Sequence, residues 1–460
     1  MSKRILCLTI TISILSTVLS AQNNKEPNFG NNSISNHSTV YTDIHNFDPE
    51  LFQSNNTQQS QSYNTARKFQ FGGYGEAVMQ RMFFSDNPSR YKYPATYKDQ
   101  NHGRFDLPHV VLYMSYDFGR GWKVSAEFEY EHGGTGSTYE IETTEAGEYE
   151  TEIEKGGEIA IEQFWIEKSW SDYANLRIGH IIVPVGMTNQ YHMPTEFFSV
   201  LRPEEEAEIL PCTWHQTGIS LWGRAGKWRY EAQFISGLDA ERFSNANWIK
   251  GGATSPYEFE IANSYASAFR FDNYSVTGLR MGLSGYFGFS ALNSLKSERF
   301  KNANGSVTIG TFDAHYDNHN IIAKANVLYG HLGDSYAISM INTKLPAASP
   351  SPRTYVASDV LSWYVDIGYD LMSLFKNRRY KEDKLYLFGH YGFYDSMYKT
   401  DNRIVKNIWS KKTIYSIGLN YFPIKEIVIK AEYMMRKFDT PYNNEPTISL
   451  GIAYSGLFVK

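Results

Sequence analysis

From residue 69 onward the chain alternates with a period of two. Residues 124–130 read Val-Ser-Ala-Glu-Phe-Glu-Tyr, residues 229–234 read Arg-Tyr-Glu-Ala-Gln-Phe, and 427–433 continue in the same way. Ile321, Ala323, Ala325, Val327 and Tyr329 share one face, while Lys324 and Asn326 share the other. A helical period would scatter those charges around an axis; a strand collects them on one side. Such segments begin near 69, 104, 121, 158, 173, 214, 226, 263, 275, 303, 319, 356, 382, 411, 425 and 446, which predicts about sixteen strands. Their connections alternate in length. Tight turns are expected at 117–121, Ser171-Asp172, 223–226, Asp272-Asn273, Asp317-Asn318 and 422–425, with a somewhat longer one at 376–383. Between those pairs lie long polar stretches at 85–103, 132–157, 185–213, 238–262, 291–302, 334–355 and 398–410, and a shorter one at 439–445.

Composition turns this pattern into an architecture. No window after residue 21 approaches the ~18 apolar residues of a membrane helix, and mean hydropathy is −0.43. Yet the chain holds 34 Tyr, 28 Phe and 9 Trp. A membrane barrel reconciles these facts: only alternate residues face lipid, and aromatics gather at the two interfaces. Phe118, Trp122, Trp170, Tyr173, Trp228, Phe271, Tyr274, Tyr421 and Phe422 all adjoin expected tight turns, as an aromatic girdle would. The expected fold is therefore all-β, a transmembrane antiparallel barrel of about sixteen strands, with short periplasmic turns and long outer loops. An even strand number returns both ends to the periplasm.

Placing the apolar face against lipid sends the other face into the lumen. That inward set includes Lys123, Glu127, Glu129, Arg177, Arg229, Glu231, Arg270, Arg280, Lys324, Asp366, Asp370, Lys430 and Glu432. A Lys or Arg turned to lipid near the bilayer midplane costs ~2–4 kcal/mol, so the assignment is not symmetric. A barrel of this size is wide enough to hold an aqueous channel.

The N-terminus adds a compartment. Lys3-Arg4 precede an apolar stretch at 5–19 and a small-residue cleavage point at Ser20-Ala21, the layout of a secretory signal. Residues 22–66 are rich in Asn, Ser, Gln and Thr without periodicity and read as a flexible periplasmic leader. The barrel is expected over 67–460. Losing the signal removes Lys3 and Arg4, shifting net charge from −5 to about −7, and leaves Cys212 as the single cysteine. That weakly acidic balance argues against a nucleic-acid partner. The expected surroundings are the cell outer membrane, its lipid and lipopolysaccharide, and the barrel assembly machinery that inserts such chains.

Residues 177–222 carry Arg177, Gly179, Pro184 and Gly186, then Arg202, Pro211 and Gly218. This order of strand, Pro-x-Gly exit, loop and returning strand resembles the phosphate-selective porin O and P family of sixteen-stranded Gram-negative outer-membrane porins. The resemblance implies that residues 187–213 form a third outer loop folded inward as a constriction, and that the protein assembles as a homotrimer. On that loop stand His192, Arg202, Glu204, Glu205, Glu206 and Glu208, and charged groups in a narrow pore filter ions. The chain departs from the family in one respect. Phosphate selectivity calls for a dense ladder of Arg and Lys, whereas this loop brings four glutamates and the preceding one further acids over 140–158.

Enzymatic alternatives find little support. There is no Gly-x-Ser-x-Gly elbow and no His-Glu-x-x-His. His132, His180, His192 and His215 are scattered in sequence and nominate no base, and no cofactor or metal is expected. The reading is a porin for passive diffusion of small hydrophilic solutes or ions. The alternatives are a barrel acting as adhesin or receptor through its long loops and, further off, an outer-membrane hydrolase.

Overall fold

The computed structural model describes residues 69–459 apart from 134–135, 142–150, 156–157, 212, 254–260, 295–296, 347–348 and 376–381. The expected signal, the leader, Cys212 and most of the 376–383 connection lie outside the described residues.

Sixteen antiparallel strands close into a barrel. They are β1 (Phe69–Met82), β2 (His102–Asp106 and His109–Gly119), β3 (Trp122–Glu131), β4 (Glu158–Ser171), β5 (Ala174–Ile182), β6 (His215–Ala225), β7 (Trp228–Ser236) and β8 (Tyr265–Val276). They continue as β9 (Leu279–Phe289), β10 (Ser306–Asn318), β11 (Ile321–Leu332), β12 (Asp359–Asp370), β13 (Lys384–Lys399), β14 (Lys411–Ile424), β15 (Ile427–Lys437) and β16 (Glu445–Val459). Each pairs with its neighbours in chain order, and β16 returns to β1 with Ile452 opposite Ala77. Pro108 falls in the break within β2, where its missing N–H would interrupt the ladder; both halves pair with β1.

The tight turns follow from residues that tolerate left-handed backbone. Arg120 and Gly121 join β2 to β3 at φ 57° and 75°, and His319 and Asn320 join β10 to β11 at 54° and 62°, the mirror-type geometry that matches strand twist. The turn expected at Asp272-Asn273 is not there. The strand β8 runs on to Val276, and Gly278, at φ 75°, turns the chain. Asp272 instead points inward, where Arg270 and Arg280 each place a guanidinium nitrogen about 3 Å from it. A residue typed as a turn former is retained in the strand by its charge partners.

The outer wall is apolar. Ile178, Ile219, Leu283, Phe312, Val327, Ile367, Ile417, Ile429, Leu450 and Ile452 are exposed despite lying mid-strand, the signature of a surface that meets lipid. Near the short turns Phe118, Trp122, Trp170, Tyr173, Trp228 and Phe271 are also exposed. Phe422 leaves this girdle: it is buried inside, 6.1 Å from the Tyr386 ring.

The lumen is more apolar than strand alternation alone predicts. Toward the loop end, wall residues Ile309, Leu328, Leu332 and Val360 join Leu238, Phe243, Trp248, Phe300 and Ile338 from the outer loops in one buried cluster. Outer loops thus pack into the barrel mouth, and the inward apolar wall positions are their seats. One of these loops carries the helix Ser335–Asn342.

Candidate functional site

The loop 183–214 between β5 and β6 enters the barrel and crosses it. Its backbone is held by wall side chains that reach inward. Lys430 donates to the carbonyls of Phe197 and Ser199 at 2.8 Å each, and Lys324 donates to the Glu196 carbonyl. Asn420 donates to the Phe198 carbonyl at 2.9 Å, and Glu432 accepts from the Val200 N–H at 2.8 Å. On the opposite side Arg270 donates to the Gly186 carbonyl at 2.9 Å. A loop drawn into a lumen must find partners for its backbone groups, and these long polar side chains supply them.

Glu204, Glu205 and Glu206 sit on a single helical turn, Glu204–Ala207, with Glu208 directly after it, and each of the four finds a different partner. Glu204 pairs with Arg436 and accepts from the Tyr394 hydroxyl at 3.1 Å. Burial works against its ionisation, yet the Arg436 guanidinium holds the carboxyl below its usual range. Glu205 lies 2.9 Å from Nε2 of His390. Glu206 accepts from the N–H groups of Met187 and Asn189 at 3.2 and 3.1 Å and from the Asn326 amide at 2.5 Å. Burial, reinforced by nearby Asp313, pushes its carboxyl up to about 7 against those donors. Glu208, at the outer end, lies 3.6 Å from Lys250. His192 is buried beside Tyr74, ring centroids 5.6 Å apart, and Arg202 donates to its carbonyl at 3.2 Å.

The remaining inward residues of the wall pair among themselves. Arg229 contacts Glu231 at 2.7 Å, Arg177 contacts Glu167 at 2.9 Å, and Arg270 and Arg280 share Asp272 and Asp313. Asp366 meets Nδ1 of His390 at 2.6 Å. Glu127 and Glu129 are buried on the β3 face, while Lys123 is half-buried nearer the turn. Period-two alternation finds this inward set, but it cannot find His390, Asn326, Tyr394 and Arg436 as loop anchors, because nothing local in sequence links them to 204–206. Nor are the histidines all scattered in space: His180 and His215 contact one another across β5 and β6, with ring centroids 4.4 Å apart.

Between the loop and the wall lies a cavity of about 100 Å³. Gln80, Arg104, His390, Glu432, Arg436 and Ser449 line it from the wall, and Arg202, Glu204 and Glu205 from the loop. It is room for several waters, and charges of both signs face it.

No family model matches this chain. An uncharacterized protein of Aquifex aeolicus (strain VF5) is 24% identical over 390 residues, covering 84% of this chain and 80% of its own. Among solved structures, Salmonella typhi OmpF in complex with daunomycin matches with a TM-score of 0.51 at 9% identity, over 86% of this chain and 100% of that one. The outer membrane channel DcaP of Acinetobacter baumannii gives 0.47 at 13% identity, over 84% and 97%. The fold is that of the outer-membrane barrels.

Proposed function

We propose that this protein is an outer-membrane channel for passive diffusion of small hydrophilic solutes or ions, narrowed by loop 183–214. One observation carries the reading: the loop is anchored across the lumen but leaves a cavity along its β13–β16 side, lined by polar residues of those strands and of β1 and β2. A solute taking that route passes Arg104, Arg202 and Arg436 facing Glu204, Glu205 and Glu432, so width and paired charges set the filter. These charges are mutually compensated and form no cationic ladder, which speaks against phosphate selectivity. A homotrimer in the cell outer membrane belongs to the same proposal. Solutes, lipopolysaccharide and the assembly machinery enter it as partners through the barrel class.

Planar-bilayer conductance of the folded chain tests it. The expected result is small, stable steps that grow when residues 187–208 are deleted. A folded barrel that passes no ions with or without the loop would overturn the proposal. A second reading, a barrel that works through its outer surface as adhesin or receptor, has one observation in its favour. Described residues of three outer loops share the apolar core built on Phe243, Trp248, Phe300 and Ile338. That reading predicts ligand binding without conductance.

A further inference from the structure

Beside the loop, on the β3–β4 side of the lumen, Glu127, Glu162 and His192 converge. One ligand-type atom from each lies within 4.8 Å of the other two, and all three residues are buried. We propose that these residues form a binding site for a first-row divalent cation of the zinc type, which fastens the inward loop to the barrel wall.

Four features of the geometry point to an ion rather than to a plain polar cluster. The first is the orientation of His192. Its Nδ1 lies 3.1 Å from the Asn189 carbonyl, which makes that nitrogen an N–H donor and leaves Nε2 as the ring atom that faces the cluster. A backbone carbonyl on the far nitrogen is how metal-binding histidines are oriented. The second is spacing. Nε2 stands 3.9 Å from Glu127 Oε1, too far for a hydrogen bond. It is close to the roughly 3.3 Å edge of a tetrahedron built on ~2.0–2.1 Å zinc–ligand bonds.

The third feature is that the carboxylates are themselves held from behind. Gln163 donates to Glu127 Oε2, while Thr213 and Tyr74 donate to the two oxygens of Glu162, Tyr74 at 3.3 Å. The fourth is crowding. Glu129, whose carboxyl lies against that of Glu162, adds a third buried acid, its Oε1 4.0 Å from Nε2 of His109. Three carboxylates within one buried space repel one another and lose their hydration, and a divalent cation among them offsets both costs. One imidazole with two or three carboxylate oxygens is a donor set that suits Zn²⁺ or Mn²⁺ better than Ca²⁺, which prefers oxygen alone. The three ligands come from β3, β4 and the loop, so the ion would act as a clamp.

The test is titration of the chelator-treated, folded full-length chain with Zn²⁺, followed by calorimetry, and separately with Co²⁺, followed by visible absorption. The expected result is one tight equivalent per chain and a four-coordinate cobalt spectrum. Affinity should fall at least tenfold in His192→Asn and in Glu127→Gln, and stay unchanged in Glu298→Gln. Hydrogen exchange in 187–201 should slow when Zn²⁺ is added to the wild type. Absence of saturable binding by the folded wild type would overturn the proposal whether or not the variants fold. So would a weak, multi-site isotherm insensitive to both substitutions, which would assign the ions to outer-loop acids instead.

Discussion

His390 joins two acids from distant parts of the chain: its Nε2 lies 2.9 Å from Glu205 on the inward loop, and its Nδ1 lies 2.6 Å from Asp366 on β12. All three side chains are buried, and a protonated imidazole satisfies both carboxylates at once. Removing the ring leaves two acids facing each other without water. Breaking such a buried set costs about 3–5 kcal/mol, and the loop is the part free to move. His390→Ala is therefore expected to keep the barrel, seen as unchanged β-type circular dichroism, while raising single-channel conductance and lowering the denaturant midpoint. If both readings match the wild type, this imidazole does not hold the loop.

Gly186 offers a sharper structural test because it combines two constraints. Its φ of 84° disfavours any side chain, and a Cβ there would overlap the Glu206 carboxylate. Gly186→Ala should thus strain the backbone and dislodge Glu206 from the N–H groups of Met187 and Asn189. A loss of about 2 kcal/mol is expected, since left-handed backbone alone costs an L-residue ~1–2 kcal/mol. Gly310 on β10 is the contrasting position: a Cβ there meets nothing within 4 Å. Gly310→Ala should leave the urea midpoint unchanged or raise it slightly. Equal effects at the two sites would contradict the packing of the loop turn at 186.

Glu206 makes loop docking depend on pH. Burial lifts its carboxyl from 4.5 to about 7 in the folded protein. A group with a raised folded value binds its proton more tightly when folded, so stability is full below about 4.5 and is lost as pH climbs through 7. The whole difference is about 3 kcal/mol, at 1.36 kcal/mol per pH unit. Hydrogen exchange of the loop, corrected for intrinsic rates, should therefore be more protected at pH 5 than at pH 8. Glu206→Gln should flatten that dependence. A profile of the same slope in the variant would assign the effect to another group.

The barrel was readable because strand alternation is a local property that survives folding. The expected strand starts fall within a few residues of the observed ones, from Phe69 to Glu445. The errors have a common cause. Asp272 reads as a turn, and Phe422 as girdle, because a residue's type at its own position does not show its partners inside the barrel: Arg270 and Arg280 for the one, Tyr386 and Phe198 for the other. The same limit hid the loop anchors. Lys324, Lys430 and Glu432 were legible as inward-facing charges, but their pairing with the backbone of 196–200 depends on where a long loop lies in three dimensions. Leu328 and Val360, inward yet apolar, ran against the expectation of a wet lumen for the same reason. They seat outer-loop residues such as Trp248.

The outer wall provides the test of which face meets lipid. Leu450 on β16 is exposed in mid-strand, while its neighbour Ser449 is buried and accepts from the Gln80 amide at 3.0 Å. Phe118 is exposed too, but stands beside the turn at Gly119 and Gly121. If the wall is bathed in hydrocarbon, the cost of a lysine must depend on depth: ~2–4 kcal/mol near the midplane, falling to ~0–1 at the interface. Leu450→Lys should therefore destabilise the barrel in phospholipid vesicles several times more than Phe118→Lys, measured by reversible denaturant titration. In a soluble protein both residues would already face water and both substitutions would be nearly neutral. Two small and equal costs would mean that the apolar wall does not contact lipid, and the channel proposal would lose its membrane.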